Sequence, residues 1–404
     1  MKRLFVPKKS PLYPFVERYL ALLKEQDYSS HTAVRHMHYF VRFHRWLARR
    51  KWRGLSELNE GLLETFVQQQ QQVRPNSGVR PALRRLLGIL RDAGVTPPAE
   101  LSPPTPAQLL ANDYRCFLRE ERGCSDWTVT NYARHVDQFL AERFGAGPVN
   151  LRQLKVAEAI AFVQRTAREH NQGFTKQAVT AMRSFLRFLH YRGGIESDWA
   201  AAVPVIAHWR LTALPKPLPA DAVQKILDGC DRTTTVGRRD HAMLLLLARL
   251  GLRAGEVAGL QIEDIDWENA QITVRSKKGD GWTRMPLPAD VGKAIARYLR
   301  YDRPSPPWHN VFVCIHAPHA PLGKSLAVTN RATAAIRRAG IQSPRNGAHI
   351  FRHSLASEML RQGASLDEIG RILRHKDPDT TAIYAKVDLN ALRRLAVPLP
   401  GGVR

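Results

Sequence analysis

The sequence predicts a mainly α, multidomain protein in which two tandem helical modules precede a mixed α+β domain with a small β-sheet. Three observations carry that expectation. The first part of the chain repeats itself with the apolar period of helices, two proline-rich stretches cut the chain into three, and alternating apolar residues flank a Lys- and Gly-rich turn in the last third. At 404 residues the chain is long enough to bury two or three separate cores.

The repeat comes first in chain order. A shift of 96 positions lays Ser29, Thr32 and Phe43 on Ser125, Thr128 and Phe139, then Leu55 and Leu58 on Leu151 and Leu154, and Phe66-Val67-Gln68 on Phe162-Val163-Gln164 without a gap. Three inserted residues then bring Ala82, Arg84, Leu87, Leu90 and Gly94 onto Ala181, Arg183, Leu186, Leu189 and Gly193. Amphipathic helices resemble one another over short stretches but seldom keep register this long, so two copies of one helical module are expected.

Within the copies, Tyr39, Phe40, Phe43, Trp46 and Leu47 recur at spacings of three and four, as do Val179, Met182, Phe185, Leu186 and Leu189, which predicts helices packed on a shared core. Between them stand Arg35, His36, Arg42, Arg45, Arg49, Arg50 and Lys51 in one copy, and Arg183, Arg187, His190 and Arg192 in the other. A basic helix face is often only solvated, but it also suits a phosphate backbone.

The proline-rich stretches Val95-Thr96-Pro97-Pro98 through Pro103-Pro104-Thr105-Pro106, and Leu214 through Pro219, cannot sit inside helices. The expected domains are therefore residues 1–95, 106–209 and 214–404. In the last, Arg239 through Ala248 reads as a buried helix, and Gln271–Arg275 and Thr283–Leu287 read as strands of a hairpin around Ser276–Trp282.

Charge narrows the partner. Lys and Arg number 61 against 36 Asp and Glu, a net +25, with an isoelectric point near 10.5. Such an excess is matched by a polyanion or by counterions, and the expected partner is nucleic acid. No apolar run reaches the roughly 20 residues of a membrane span, and Met1–Lys9 is charged without the apolar core of a signal peptide, so a cytoplasmic protein without a membrane partner is expected. Cys116, Cys124, Cys230 and Cys314 are scattered, with no CxxC pair and no histidine at metal-finger spacing, and no cofactor or metal is expected.

The chemistry concentrates in the last third. Attack on a phosphodiester without metal needs cations to hold the pentacovalent phosphorane, a base for the nucleophile and an acid for the departing oxygen. Arginine suits the first role because its planar, permanently charged guanidinium bridges two phosphate oxygens. Arg253 follows an apolar helix and a Gly251-Leu252 break, with Glu256 close enough to orient it, and Arg352 stands three residues after His349, one turn along a helix. Leu373-Arg374-His375 and Tyr384 follow.

These four segments, Gly251 to Glu256, His349 to His353, Leu373 to His375 and Tyr384, resemble the signature of the tyrosine recombinases, the family of phage integrases, Xer-type resolvases and Cre. The nine-residue interval from His375 to Tyr384, with paired Thr380-Thr381 between, is the family's usual one. A lone HxxR would be weak, but four motifs in order are strong. The catalytic resemblance covers residues 214–404, and the module at 106–209 resembles the family's helical, SAM-like core-binding domain; the first copy is additional to the minimal architecture.

The resemblance implies Arg253 and Arg352 as phosphate clamps, His349 as general base or proton shuttle, His375 as a further phosphate ligand, and Tyr384 as the nucleophile forming a 3′-phosphotyrosyl bond. It also implies a hairpin lysine as general acid. Lys277 and Lys278 both occupy that loop, and counting back from Pro286 matches Lys278 better. The family's small glycine before the second histidine is Arg374 here, which adds charge beside the phosphate or points away. The function implied is site-specific recombination or integration for a mobile element, needing neither ATP nor metal, by subunits that self-associate on DNA, a tetramer being expected, with partner recombinases allowed. A type IB topoisomerase is the nearest rival, and a non-catalytic DNA-binding accessory factor the rival from another class.

Overall fold

The computed structural model describes residues 6–50, 52, 54–73, 78–98, 103–205, 217–275, 281–305, 307–323, 325–343, 347–375 and 377–385. The chain divides into two compact units, Pro98–Thr212 and a second made of Met1–Pro97 with Ala213–Arg404. Among the described residues no helix is long and apolar enough to cross a membrane.

The first stretch is helical: α1 (Tyr13–Glu25), α2 (Ser30–Arg49), α3 (Glu60–Val73) and α4 (Val79–Asp92). Ser29 caps α2 by accepting a hydrogen bond from the Thr32 amide, which satisfies one of the free N–H groups at the helix start. Phe40, Phe43, Leu47, Phe66, Leu83, Leu87 and Leu90 meet in a shared core, where the Phe43 and Phe66 rings lie 5.1 Å apart.

The unit Pro98–Thr212 repeats this plan with α5 (Pro106–Cys116), α6 (Asp126–Phe144), α7 (Val156–Glu169) and α8 (Gln172–Tyr191). Ser125 caps α6 from the Thr128 amide as Ser29 caps α2, and the Phe139 and Phe162 rings lie 5.5 Å apart where Phe43 and Phe66 do in the first copy. The single 3₁₀ turns Leu55–Glu57 and Leu151–Gln153 also correspond. The likeness reaches further back than the sequence showed: Val16, Tyr19 and Leu23 are buried in α1, and Ala111, Tyr114 and Leu118 are buried one residue out of the 96-position register. The extra residue of the second copy falls in the last turn of its first helix, which winds as a π turn over Phe117–Glu121, and the loops that follow are equally long in the two copies.

One residue assigned to the basic face belongs inside. His36 is only 9% exposed and its Nδ1 is 2.8 Å from the Tyr19 hydroxyl, so it is a core polar pair and not a surface cation. Arg35, His38, Arg42, Arg45 and Arg49 are exposed, and their spacings of three and four place them along one side of α2.

The chain from residue 217 on contains α9 (Ala220–Asp228), α10 (Thr235–Arg249), α11 (Ala254–Gly259), β1 (Ile265–Asp266), β2 (Gln271–Arg275), β3 (Trp282–Pro286), α12 (Ala289–Tyr301), α13 (Ser325–Arg338), α14 (His349–Arg361), α15 (Leu366–Leu373) and α16 (Asp379–Ala382). The strands form an antiparallel sheet in the order β1-β2-β3, and Gln271 pairs with Pro286 and Arg275 with Trp282. The second strand thus starts one residue earlier than expected and the sheet gains a short first strand. Ala242 through Ala248 on α10 is buried along its whole length, so this helix is the axis of the core, flanked by Ile272, Ile295, Phe312 and Phe351.

Candidate active site

Three separate stretches of the region 217–385 converge on the C-terminal end of α15. The first is the exit from α10. Gly251 has φ +57°, which glycine adopts without penalty, and a Cβ there would lie 2.6 Å from Leu373 Cδ2 and 3.0 Å from Leu355 Cδ2. The missing side chain lets this turn lie against α14 and α15.

Arg352, on α14, fills the junction. It is 4% exposed, donates from Nη1 to the Gly251 carbonyl at 2.5 Å, and donates from Nη2 to the Leu373 carbonyl. A buried guanidinium without partners would cost several kcal/mol, on the order of the penalty for an uncompensated ion. Two carbonyls offset that cost, and the one from the last turn of α15 also carries the partial negative charge of a helix end. Burial, aided by the charges of Arg253 and Arg374, pushes the Arg352 pKa down to about 10, which still leaves it charged at neutral pH.

Arg253 stands at the N-cap of α11. Glu256 accepts from the Arg253 amide (2.8 Å) and from Arg253 Nη1 (2.8 Å), and Arg253 Nη2 donates to the Arg374 carbonyl at 3.2 Å. The guanidinium is therefore fixed on one edge while 42% of the side chain remains open. Burial pushes the Glu256 carboxyl upward, but the charge of Arg374 and the hydrogen bonds from Arg253 outweigh it and hold the group below its ordinary value. Glu256 is the orienting carboxylate expected from its spacing.

Arg374 ends α15 in the left-handed conformation, φ 56° and ψ 48°, which costs an L-residue with a side chain about 1–2 kcal/mol relative to glycine. Its side chain turns inward, with 10% left exposed. Nη2 donates to Glu256 Oε2 at 3.0 Å and Nη1 rests on the Met285 thioether of β3.

The left-handed turn aims His375 back beneath the helix, where its amide donates to the Gly370 carbonyl and Nδ1 lies 2.7 Å from the Thr381 hydroxyl. Burial, with the nearby charges of Arg352, Arg253 and Arg374, pushes its pKa down to about 4, so the imidazole is neutral at pH 7 and would offer one N–H rather than a charge.

Tyr384 is 1% exposed and packs with Ala356, Ile369 and Leu373. Its hydroxyl lies 2.8 Å from His353 Nδ1. Burial pushes the phenol up to about 12, against the pull of Arg352. The hydroxyl is thus protonated and shielded in this arrangement, and its attack requires both a base and access to a phosphate.

His349, the first residue of α14, is exposed, with its ring centroid 6.4 Å from that of His353; it shares a helix with Arg352, yet Arg352 turns inward and His349 does not. Lys277 and Lys278 lie outside the described residues. The residue that sequence reasoning left without a role is His353, quoted only as the end of a motif. Its signal was present: four residues after His349 on a helix, it shares that residue's face.

The chain is also similar to known proteins. The family model described as the phage integrase family matches residues 216–390, and that described as the phage integrase N-terminal SAM-like domain matches residues 111–193. The chain is 41% identical to the putative integrase/recombinase y4rA of Sinorhizobium fredii over 98% of this chain and 96% of that one. It is 29% identical to the tyrosine recombinase XerD of Listeria innocua over 69% of this chain and 94% of that one. Among solved structures, the XerH site-specific recombinase bound to palindromic difH substrate matches with a TM-score of 0.55 at 16% identity, covering 98% of both chains, which shows a common fold.

Proposed function

Since this chain belongs to the phage integrase family of tyrosine recombinases, we propose that it recombines DNA at specific sites for a mobile element, cleaving and rejoining strands through a covalent bond to Tyr384. The observation that carries the residue assignment is the convergence of Arg253, Arg352, His375 and Tyr384 around one helix end, each held by a partner from a different stretch.

In this reading a DNA phosphate sits against the open edge of Arg253 and beside Arg352, with His375 donating an N–H to it. The Tyr384 oxygen bonds to phosphorus as the P–O5′ bond breaks. The phenolic proton passes to an imidazole: His349 is the base that the resemblance implies, and His353, already 2.8 Å away, holds the hydroxyl at rest. A lysine of the β2–β3 turn, Lys278 by register, returns a proton to the leaving 5′-oxygen. The 5′-hydroxyl of another strand reverses the step. Bond energy is kept in the phosphotyrosyl linkage, which is why the reaction is read as needing no ATP and no cofactor.

Partner and place follow from charge. The second copy has a cleft lined by Arg122, Lys176, Arg183 and Arg187, and the first has the row of cations on α2, both suited to the phosphates of double-stranded DNA. We take the first copy to be a further DNA-binding module, the chain to act in the cytoplasm, and subunits to assemble on DNA, as a tetramer when two duplexes are exchanged.

The test is a nicked suicide substrate. The wild-type chain should give a covalent adduct that survives excess chelator, and Tyr384→Phe should bind the same DNA without forming it. An adduct persisting in that variant would show a different nucleophile. Relaxation of supercoils by single chains without a defined site would favour the topoisomerase reading.

A further inference from the structure

We propose that Arg374 is a positioning residue of the cleavage site, which neutralises Glu256 so that the charge of Arg253 stays directed at the DNA phosphate. The inference rests on the assignment of Arg253 as a phosphate clamp.

Glu256 is the only acidic partner of Arg253 among the described residues, and it takes both the amide and Nη1 of that arginine. A buried carboxylate bound to one clamp arginine would cancel much of the field that this arginine presents to a phosphate. A second cation on the same carboxylate removes that cancellation. Arg374 supplies it at 3.0 Å, with 10% of its own side chain and 8% of Glu256 exposed, so water screens the pair little. The same residue acts through its backbone too, since its carbonyl accepts from Arg253 Nη2.

Local stability does not explain the arginine. Its backbone is in the left-handed region that glycine occupies freely, and its Nε is buried with no hydrogen-bond partner among the described residues. Glycine would relieve both. The buried ion pair made in exchange adds little net stability, because desolvation offsets its attraction, and Glu256 already has a partner in Arg253. The gain lies instead in the site, which among the described residues carries Arg253, Arg352 and Arg374 against a single glutamate.

The test uses the full-length chain with Arg374→Gly and Arg374→Asn, asparagine being the other residue that tolerates left-handed backbone. Single-turnover cleavage of the suicide substrate should slow by about a hundredfold, the scale of a misplaced catalytic group. DNA affinity should hold, and the rates are compared in the folded fraction, since removing one partner of a buried pair also lowers stability. In a Glu256→Gln background, where no carboxylate remains to neutralise, the same changes should slow cleavage by less than about threefold, because the two residues act on one interaction. Arg374→Lys should restore most of the rate. Cleavage at the wild-type rate in both variants, an undiminished loss in the Glu256→Gln background, or a loss that merely follows the fraction unfolded would each overturn the proposal. Failure of the Arg253 assignment would look different, since Arg253→Ala itself would then cleave at the wild-type rate.

Discussion

At Gly251 one absent methyl group determines where an arginine sits. The carbonyl of this residue receives Arg352, and a Cβ would collide with Leu373 and Leu355, on the elements that carry Arg352 and His375. Gly251→Ala should therefore cost about 1–3 kcal/mol from overpacking, with the positive φ adding to it. Urea unfolding checks that figure, and single-turnover cleavage in the folded fraction should fall as well, since the Arg352 fork loses its seat. A variant with unchanged stability and rate would mean that the turn has room to move. The glycine was visible in the sequence as a break after an apolar helix, but its contact with Leu373 was not, because that contact joins residues more than a hundred positions apart.

At the scale of the element, the helical period located α2 and α8 from their apolar residues alone, and it misplaced His36. Burial, with the charges of Arg35 and Arg85, pushes the His36 pKa down to about 4, from an ordinary value near 6.5. The neutral form is the one the fold accepts, so its contribution to stability is complete above pH 6.5 and is lost as pH falls from 6.5 towards 4, by up to about 3 kcal/mol. Thermal midpoints measured across that range should decline, and His36→Gln, which keeps a hydrogen-bonding partner for Tyr19 but cannot titrate there, should flatten the decline. An unchanged slope would place His36 in contact with water. Histidine is ambiguous in a sequence because it serves equally as a surface cation and as a buried hydrogen-bonding group, and only the neighbouring Tyr19 decides between them.

For the whole molecule, the governing facts are the net charge of +25 and the duplication. Arg42, Arg45 and Arg49 are exposed on α2, so changing all three to glutamine should leave the fold intact. If they meet phosphates, the slope of log affinity against log salt should fall by about 0.9 for each lost contact, or about 2.7 for the three, and the protected footprint should shorten at that end. The suicide substrate should still be cleaved at saturating protein, because Tyr384 and its neighbours lie in the last third. An unchanged slope and footprint would point to a role for the first copy in contacts between subunits.

The sequence by itself determined the architecture and the family: repeat, prolines and hairpin pattern are local or periodic signals, and motifs such as His349-Ile350-Phe351-Arg352 keep their spacing whatever surrounds them. Only the tertiary structure decided how those residues are held. That Arg352 is fixed by the carbonyls of Gly251 and Leu373, that His353 holds the Tyr384 hydroxyl, and that Arg374 turns inward to Glu256 are contacts between segments far apart in the chain. Their directions depend on how α11, α14 and α15 pack, and packing is a property of the folded whole that no single stretch of residues carries.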